Sequence, residues 1–84
     1  MEDDDNPEWN EENTTSPDVA GKLKISRARL AMSQSAFSRL LHVPLKSLQN
    51  WEQRRTEPDA TAQVLISLVY QDPVGMRDRL MLVA

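Results

Sequence analysis

The run from Ser33 to Arg55, SQSAFSRLLHVPLKSLQNWEQRR, constrains the fold more than any other part of the chain. Phe37, Leu40 and Leu41 fall at the i, i+3, i+4 spacing of one helix face, and Leu48 and Trp51 resume an i, i+3 spacing further on. Ser33 suits an N-cap, where its hydroxyl satisfies a backbone donor that the first turn leaves free. His42-Val43-Pro44 separates the two apolar sets, because a proline disfavours helical geometry in the residue before it. Pro44 itself can stand near the start of the next helix, where its missing N–H costs little. The pattern predicts helices over about 34–41 and 45–53 with a tight turn between them.

Two helices with a three- or four-residue turn make a helix-turn-helix unit. The side of the second helix not used by Leu48 and Trp51 carries Lys46, Ser47, Gln49, Asn50 and Gln53. An ammonium, a hydroxyl and amides with both donors and acceptors suit base edges and phosphates. A helix that merely faces water more often carries Glu and Lys in mixed pairs.

Charge divides the chain unevenly. Residues 1–18 hold eight acids and no Lys or Arg, whereas residues 19–84 carry five acids against ten Lys and Arg, a net +5. The whole-chain pI near 5.0 therefore hides a basic folded part, which favours a nucleic-acid partner. The chain has no cysteine, so disulfides and thiolate metal sites are excluded. No apolar run approaches the roughly 20 residues of a membrane span, and the acidic start is unlike a secretion signal. A cytoplasmic protein is expected. With few aromatics, the core must come from Leu, Val, Ala and Met, which suits an all-α fold.

Residues 1–17 are acidic, with two prolines and one large apolar side chain, Trp9, and are expected to be a disordered tail. Such a tail can simply solubilise, fold onto a basic partner with Trp9 as anchor, or lie on the chain's own basic face. Residues 18–84 are expected to be the folded domain. A first helix over 18–31 starts at Pro17-Asp18, with Val19, Ala20, Leu23, Ala28 and Leu30 inward and Lys22, Lys24 and Arg29 outward. Met32 fills the core beside Phe37. A fourth helix over 59–70 is expected to bury Ala60, Val64, Leu65, Leu68 and Val69. A fifth begins near residue 74 and contains Met76, Leu80 and Met81. Leu80 to Ala84 are all apolar, so this end should pack on the domain or form a subunit interface.

Ser33-Gln34, Phe37, Leu40-Leu41, Leu48, Trp51-Glu52 and Pro58 together resemble the Cro/CI (XRE) helix-turn-helix family. Within it, ARL, FSRLLHV, LQNWEQRR and EPDA look most like HigA-type antitoxins, partners of RelE-superfamily, HigB-like ribonuclease toxins. The resemblance covers about residues 22–80. It implies a five-helix Cro/CI-type domain in which Gln34 touches the DNA backbone and nearby base edges. It places Leu45, Lys46, Gln49 and Asn50 near bases in the major groove, with Ser47, Arg54 and Arg55 meeting phosphates. Lys46 can donate to guanine and Asn50 can bond adenine bidentately, while Leu45 either packs on a thymine methyl or caps the turn. Arg27 matches the family arginine that pairs with the glutamate of the Trp-Glu motif, here Glu52, a structural pair. The sequence departs from the family at His42 and Arg54, where glycine is usual, and at Ser26, where a large apolar residue is usual.

Four readings of function follow, the fourth being a protein-only adaptor that uses this fold, in which substitutions of Lys46 and Asn50 would do nothing. A repressor that reads a palindromic operator as a homodimer, and as an antitoxin neutralises a toxin, agrees with the motifs and the resemblance. A stand-alone XRE-family repressor, phage-type or chromosomal, differs only in lacking the toxin partner. An enzyme is not expected, since there is a single His, no Cys and no phosphate loop. No cofactor or metal is expected, because Asp3-Asp4-Asp5 lacks the glycine and spacing of a calcium loop.

Overall fold

The computed structural model describes residues 17–83, which form five helices: α1 (Val19–Arg29), α2 (Gln34–Leu41), α3 (Leu45–Glu52), α4 (Ala60–Gln71) and α5 (Pro73–Leu82). No strand occurs among the described residues. The all-α, five-helix expectation holds, with boundaries within two residues of those read from the sequence. Residues 1–16, including Trp9 and nearly all of the expected disordered tail, lie outside the described residues.

Four helices start on a side chain that accepts a first-turn N–H. Asp18 Oδ1 takes the Gly21 amide at 2.9 Å, Ser33 Oγ that of Ala36 at 3.1 Å, Asp59 Oδ1 that of Ala62 at 2.9 Å, and Asp72 Oδ1 that of Gly75 at 3.1 Å. Each such cap contributes about 1 kcal/mol. The exception is α3, which starts from Pro44 in extended geometry with no side-chain cap.

The ends of α1, α2 and α3 share one device. Ala31, His42 and Arg54 adopt left-handed backbone with φ of 53°, 62° and 61°. Each donates back to the carbonyl three residues earlier, and the next residue donates to the carbonyl five residues earlier: Met32 to Arg27 at 3.1 Å, Val43 to Ser38 at 3.0 Å, and Arg55 to Asn50 at 2.9 Å. This is the Schellman closure, normally built on glycine. His42 thus does what a turn glycine would do, and Arg54 ends α3 in the same way. Ala31 gives no sign of this in the sequence.

The core is built from Leu23, Phe37, Leu40, Leu41, Leu48, Ile66 and Val69, with Val19, Leu30, Met32, Val43, Trp51, Leu65, Met76 and Leu80 packed around it. Helix α1 lies against α3 and α4, α2 against α3 and α5, and α4 against α5. Phe37, Leu23 and Leu48 are completely buried, each contributing about 1.5–3 kcal/mol of transfer free energy.

Several burial expectations fail. On α4, Ala60, Val64 and Leu68 are exposed, and Ile66 with Val69 faces the core. That helix is apolar on nearly every side, so periodicity alone does not pick out its inward face. On α1, Ala28 is exposed, while Ser26 takes the inward position below Leu23. Its Oγ is buried without a hydrogen-bond partner. Lys22, expected outward, is half-buried, with its ammonium 5.8 Å from the Tyr70 ring centre; the Arg29 guanidinium lies at the same distance. At the carboxyl end Leu80 packs on the core, but Met81, Leu82 and Val83 are 61%, 85% and 69% exposed.

Candidate nucleic-acid interface

Helix α3 has two unlike sides. Leu48 is buried and Trp51 packs on the core, which fixes the rotation of the helix about its axis. Lys46 then stands exposed, and Ser47, Gln49 and Asn50 are half-buried beside it. Leu45 is 39% exposed at the first turn, and Gln53 and Arg55 are exposed past the last. Because Pro44 offers no side-chain cap, the first-turn amides of α3 keep their donors for solvent or a ligand.

The Arg27–Glu52 pair forms as expected and holds α3 to α1. Arg27 Nε donates to Glu52 Oε2 and Nη2 to Oε1, both at 3.0 Å. This two-pronged geometry is the strong form of a charge-assisted bond. Glu52 is only 2% exposed, and these donors satisfy its buried oxygens. A third donor joins them: Gln34 Nε2 reaches Glu52 Oε1 at 3.2 Å. Gln34, the first residue of α2, is therefore tied to the last residue of α3. Arg27 Nη1 also donates to the Met32 carbonyl at 3.3 Å, closing the end of α1.

Arg54 is engaged elsewhere within the protein. Its Nε donates to Asp18 Oδ2 at 2.8 Å and its Nη2 to Oδ1 at 3.0 Å. The Arg54 guanidinium, and after it the Gly21 amide, hold the Asp18 carboxyl below its usual range, and Asp18 raises Arg54 in return. Asp18 thus caps α1 and fastens the end of α3 with one carboxylate. Any phosphate reaching Arg54 competes with Asp18, whereas Arg55 is exposed beside it. The sequence marks Asp18 as a helix start but gives no local sign of the pair, because 36 residues separate the partners. On α2, Arg39 Nη1 donates to Ser35 Oγ at 3.1 Å, one turn apart on the exposed side.

Gln34, Leu45, Lys46, Ser47, Gln49, Asn50, Arg54 and Arg55 thus all lie on α2, α3 or the segment just after α3. Lys46, Arg54 and Arg55 are the cations among them. Among the described residues no group of three His, Cys, Asp or Glu is placed to hold a metal ion, and no helix is long and apolar enough to cross a membrane.

No protein-family model matches the chain. Over 60 residues it is 40% identical to a protein named antitoxin HigA-2 from Vibrio cholerae. The aligned region covers 63% of this chain and 58% of that protein, so the chain spans little more than half the relative's length. The similarity agrees with the antitoxin resemblance read from the sequence motifs.

Proposed function

We propose that this chain is a sequence-specific DNA-binding repressor of the XRE helix-turn-helix type, and that it serves as an antitoxin. The observation that carries the proposal is α3: a helix fixed by Leu48, Trp51 and the Arg27–Glu52 pair, with Lys46 exposed and Ser47, Gln49 and Asn50 half-buried beside it. In this reading α3 enters the major groove, where Lys46 donates to guanine O6 or N7 and Asn50 pairs with adenine. Arg55, with Ser47, meets the phosphate backbone and sets register rather than specificity. A homodimer reads a palindromic operator, since two units double a small contact surface.

The antitoxin half rests on the similarity to HigA-2 and on the charge of residues 1–17. A ribonuclease that grips RNA presents a basic surface, to which an acidic segment with Trp9 as anchor is complementary. Deleting residues 1–17 should abolish toxin neutralisation, measured as RNA cleavage by the cognate toxin, and full neutralisation by the truncated chain would refute this half. The proposed role is binding, with no catalysis, cofactor or metal, in the cytoplasm.

For DNA, the test is fluorescence anisotropy with the duplex upstream of the chain's own gene and with single-base variants of it. Lys46→Ala and Asn50→Ala should each lower affinity for the native duplex by about 1–3 kcal/mol and flatten the preference at one base position. Arg55→Ala should weaken all duplexes alike and reduce the salt slope by about one unit. Identical behaviour of the two groups would contradict the division into base and phosphate contacts.

A further inference from the structure

The cations of α1 are not alike. Arg27 is held by Glu52, whereas Lys22, Lys24 and Arg29 have no carboxylate partner among the described residues, whose ion pairs are Arg27–Glu52, Arg54–Asp18 and Arg77–Asp78. Helix α4, against which α1 packs, carries no charged residue. What it offers Lys22 and Arg29 is the Tyr70 ring, 5.8 Å from each. By helical spacing, Lys24, Ile25 and Ala28 continue the face of α1 that Gly21 begins, with Lys22 and Arg29 along its border. Lys24, Ala28 and Arg29 are exposed, so this face is a basic strip turned away from the buried Leu23 and Ser26. The chain enters α1 across the same face. A Cβ at Gly21 would stand 2.9 Å from Pro17 Cβ and 3.1 Å from Asp18 Oδ1, so Pro17 packs directly on the bare Gly21 backbone.

We infer that this strip is the docking site of the chain's own acidic segment: residues 1–16 fold back along α1, with Glu11 and Glu12 against Lys24 and Arg29. Residues 1–16 hold seven acids and no Lys or Arg, so the charges are complementary. From Asp18 to Arg29 the helix rises about 16 Å, which an extended chain covers in about five residues. Glu11 and Glu12 stand six and five residues before Pro17, so both reach the last turn of α1. Tethering holds them there at an effective concentration of about millimolar, which suits exposed ion pairs too weak to join separate molecules. The inference stands whether or not α3 reads DNA. Its consequence is that a basic partner of the segment competes with α1 for the same carboxylates.

The chain has no cysteine, so Asn10→Cys gives the full chain a single attachment point for a nitroxide label. Broadening of backbone amides is read by NMR on the isotope-enriched chain at low salt and at about 1 M, where the Debye length falls to about 3 Å. Arg54 lies against Asp18 and serves as the control, because a segment that merely swings from Pro17 broadens Arg54 and the first turn of α1 alike. Ala28 and Arg29 should broaden more than Arg54 at low salt and lose that excess at high salt. The excess should also vanish in the full-length double variant Lys24→Glu with Arg29→Glu; both positions are exposed, and circular dichroism checks that helix content is kept. Broadening at Ala28 no greater than at Arg54, broadening centred on Lys46, or an excess that persists in salt would overturn the inference. So would broadening of an enriched, unlabelled chain by a labelled, unenriched one, which would assign the strip to the segment of a second copy.

Discussion

Removing Arg27 while leaving Glu52 in place should be among the most damaging single changes available to this domain. Glu52 is 2% exposed and receives three donors, two from Arg27 at 3.0 Å and one from Gln34 at 3.2 Å. Arg27→Met keeps the aliphatic bulk of the side chain and takes away the charge, leaving a buried carboxylate with a single neutral donor. Breaking a buried pair from one side costs about 3–5 kcal/mol. Because the Arg27 side chain is 27% exposed, part of the pair is screened, and the lower end, about 3 kcal/mol, is expected here. In a domain of this size each kcal/mol moves the midpoint by about 4–8 °C, so the loss should be roughly 12–24 °C. Glu52→Leu should cost less, since the orphaned Arg27 can turn toward water. The double variant Arg27→Met with Glu52→Leu should recover to within about 1 kcal/mol of the parent, because a matched apolar pair carries no desolvation penalty. Thermal and urea unfolding followed by far-UV circular dichroism provide the comparison. A loss under about 1 kcal/mol for Arg27→Met, or a double variant that simply adds the two single losses, would refute the reasoning.

Three other outcomes are expected. Ser26→Ala should stabilise by about 1 kcal/mol in urea unfolding, since Ser26 is 1% exposed, its buried hydroxyl is unpartnered and the desolvation of that hydroxyl goes uncompensated; a loss of stability would mean the oxygen has a partner. Ala31→Gly should stabilise by about 0.5–1 kcal/mol, because release from left-handed strain outweighs the extra freedom of the unfolded chain. Its control, Ala28→Gly within α1, should instead cost about 1 kcal/mol. Asp18, whose carboxyl is held below its ordinary value of 3.8 chiefly by Arg54, contributes stability that is present above that value and lost as pH falls through its lower folded value. Asp18→Asn, which can still cap α1, should therefore flatten the thermal midpoint against pH in the acid range below about pH 4. An unchanged acid limb in Asp18→Asn would contradict this.

The parts legible in the sequence are those with strong local signals. Ser33, Phe37, Leu40, Leu41 and Pro44 marked α2, the turn and the start of α3, because caps, apolar spacing and proline act over a few residues. The polar side of α3 was readable for the same reason, once Leu48 and Trp51 fixed the inward direction. Long-range partners were legible only where a family motif named them: Arg27–Glu52 came from the resemblance, while Asp18–Arg54 and Gln34–Glu52 did not appear at all. Helix α4 defeated periodicity, because Val64 and Leu68 are as apolar as Ile66 and Val69, and only tertiary packing decides which stripe turns inward. Ala31 in left-handed geometry was hidden because alanine favours continuing a helix and stops here only through the closure made by Met32.

The most direct test of the account is an anisotropy titration of the full chain on the duplex upstream of its own gene, beside a scrambled duplex of the same composition, at two salt concentrations. Binding to the native duplex should be tighter by ~10³-fold or more, with affinity for both falling steeply as salt rises. Equal affinity for the two duplexes, or binding to neither, would contradict the claim that α3 reads DNA sequence.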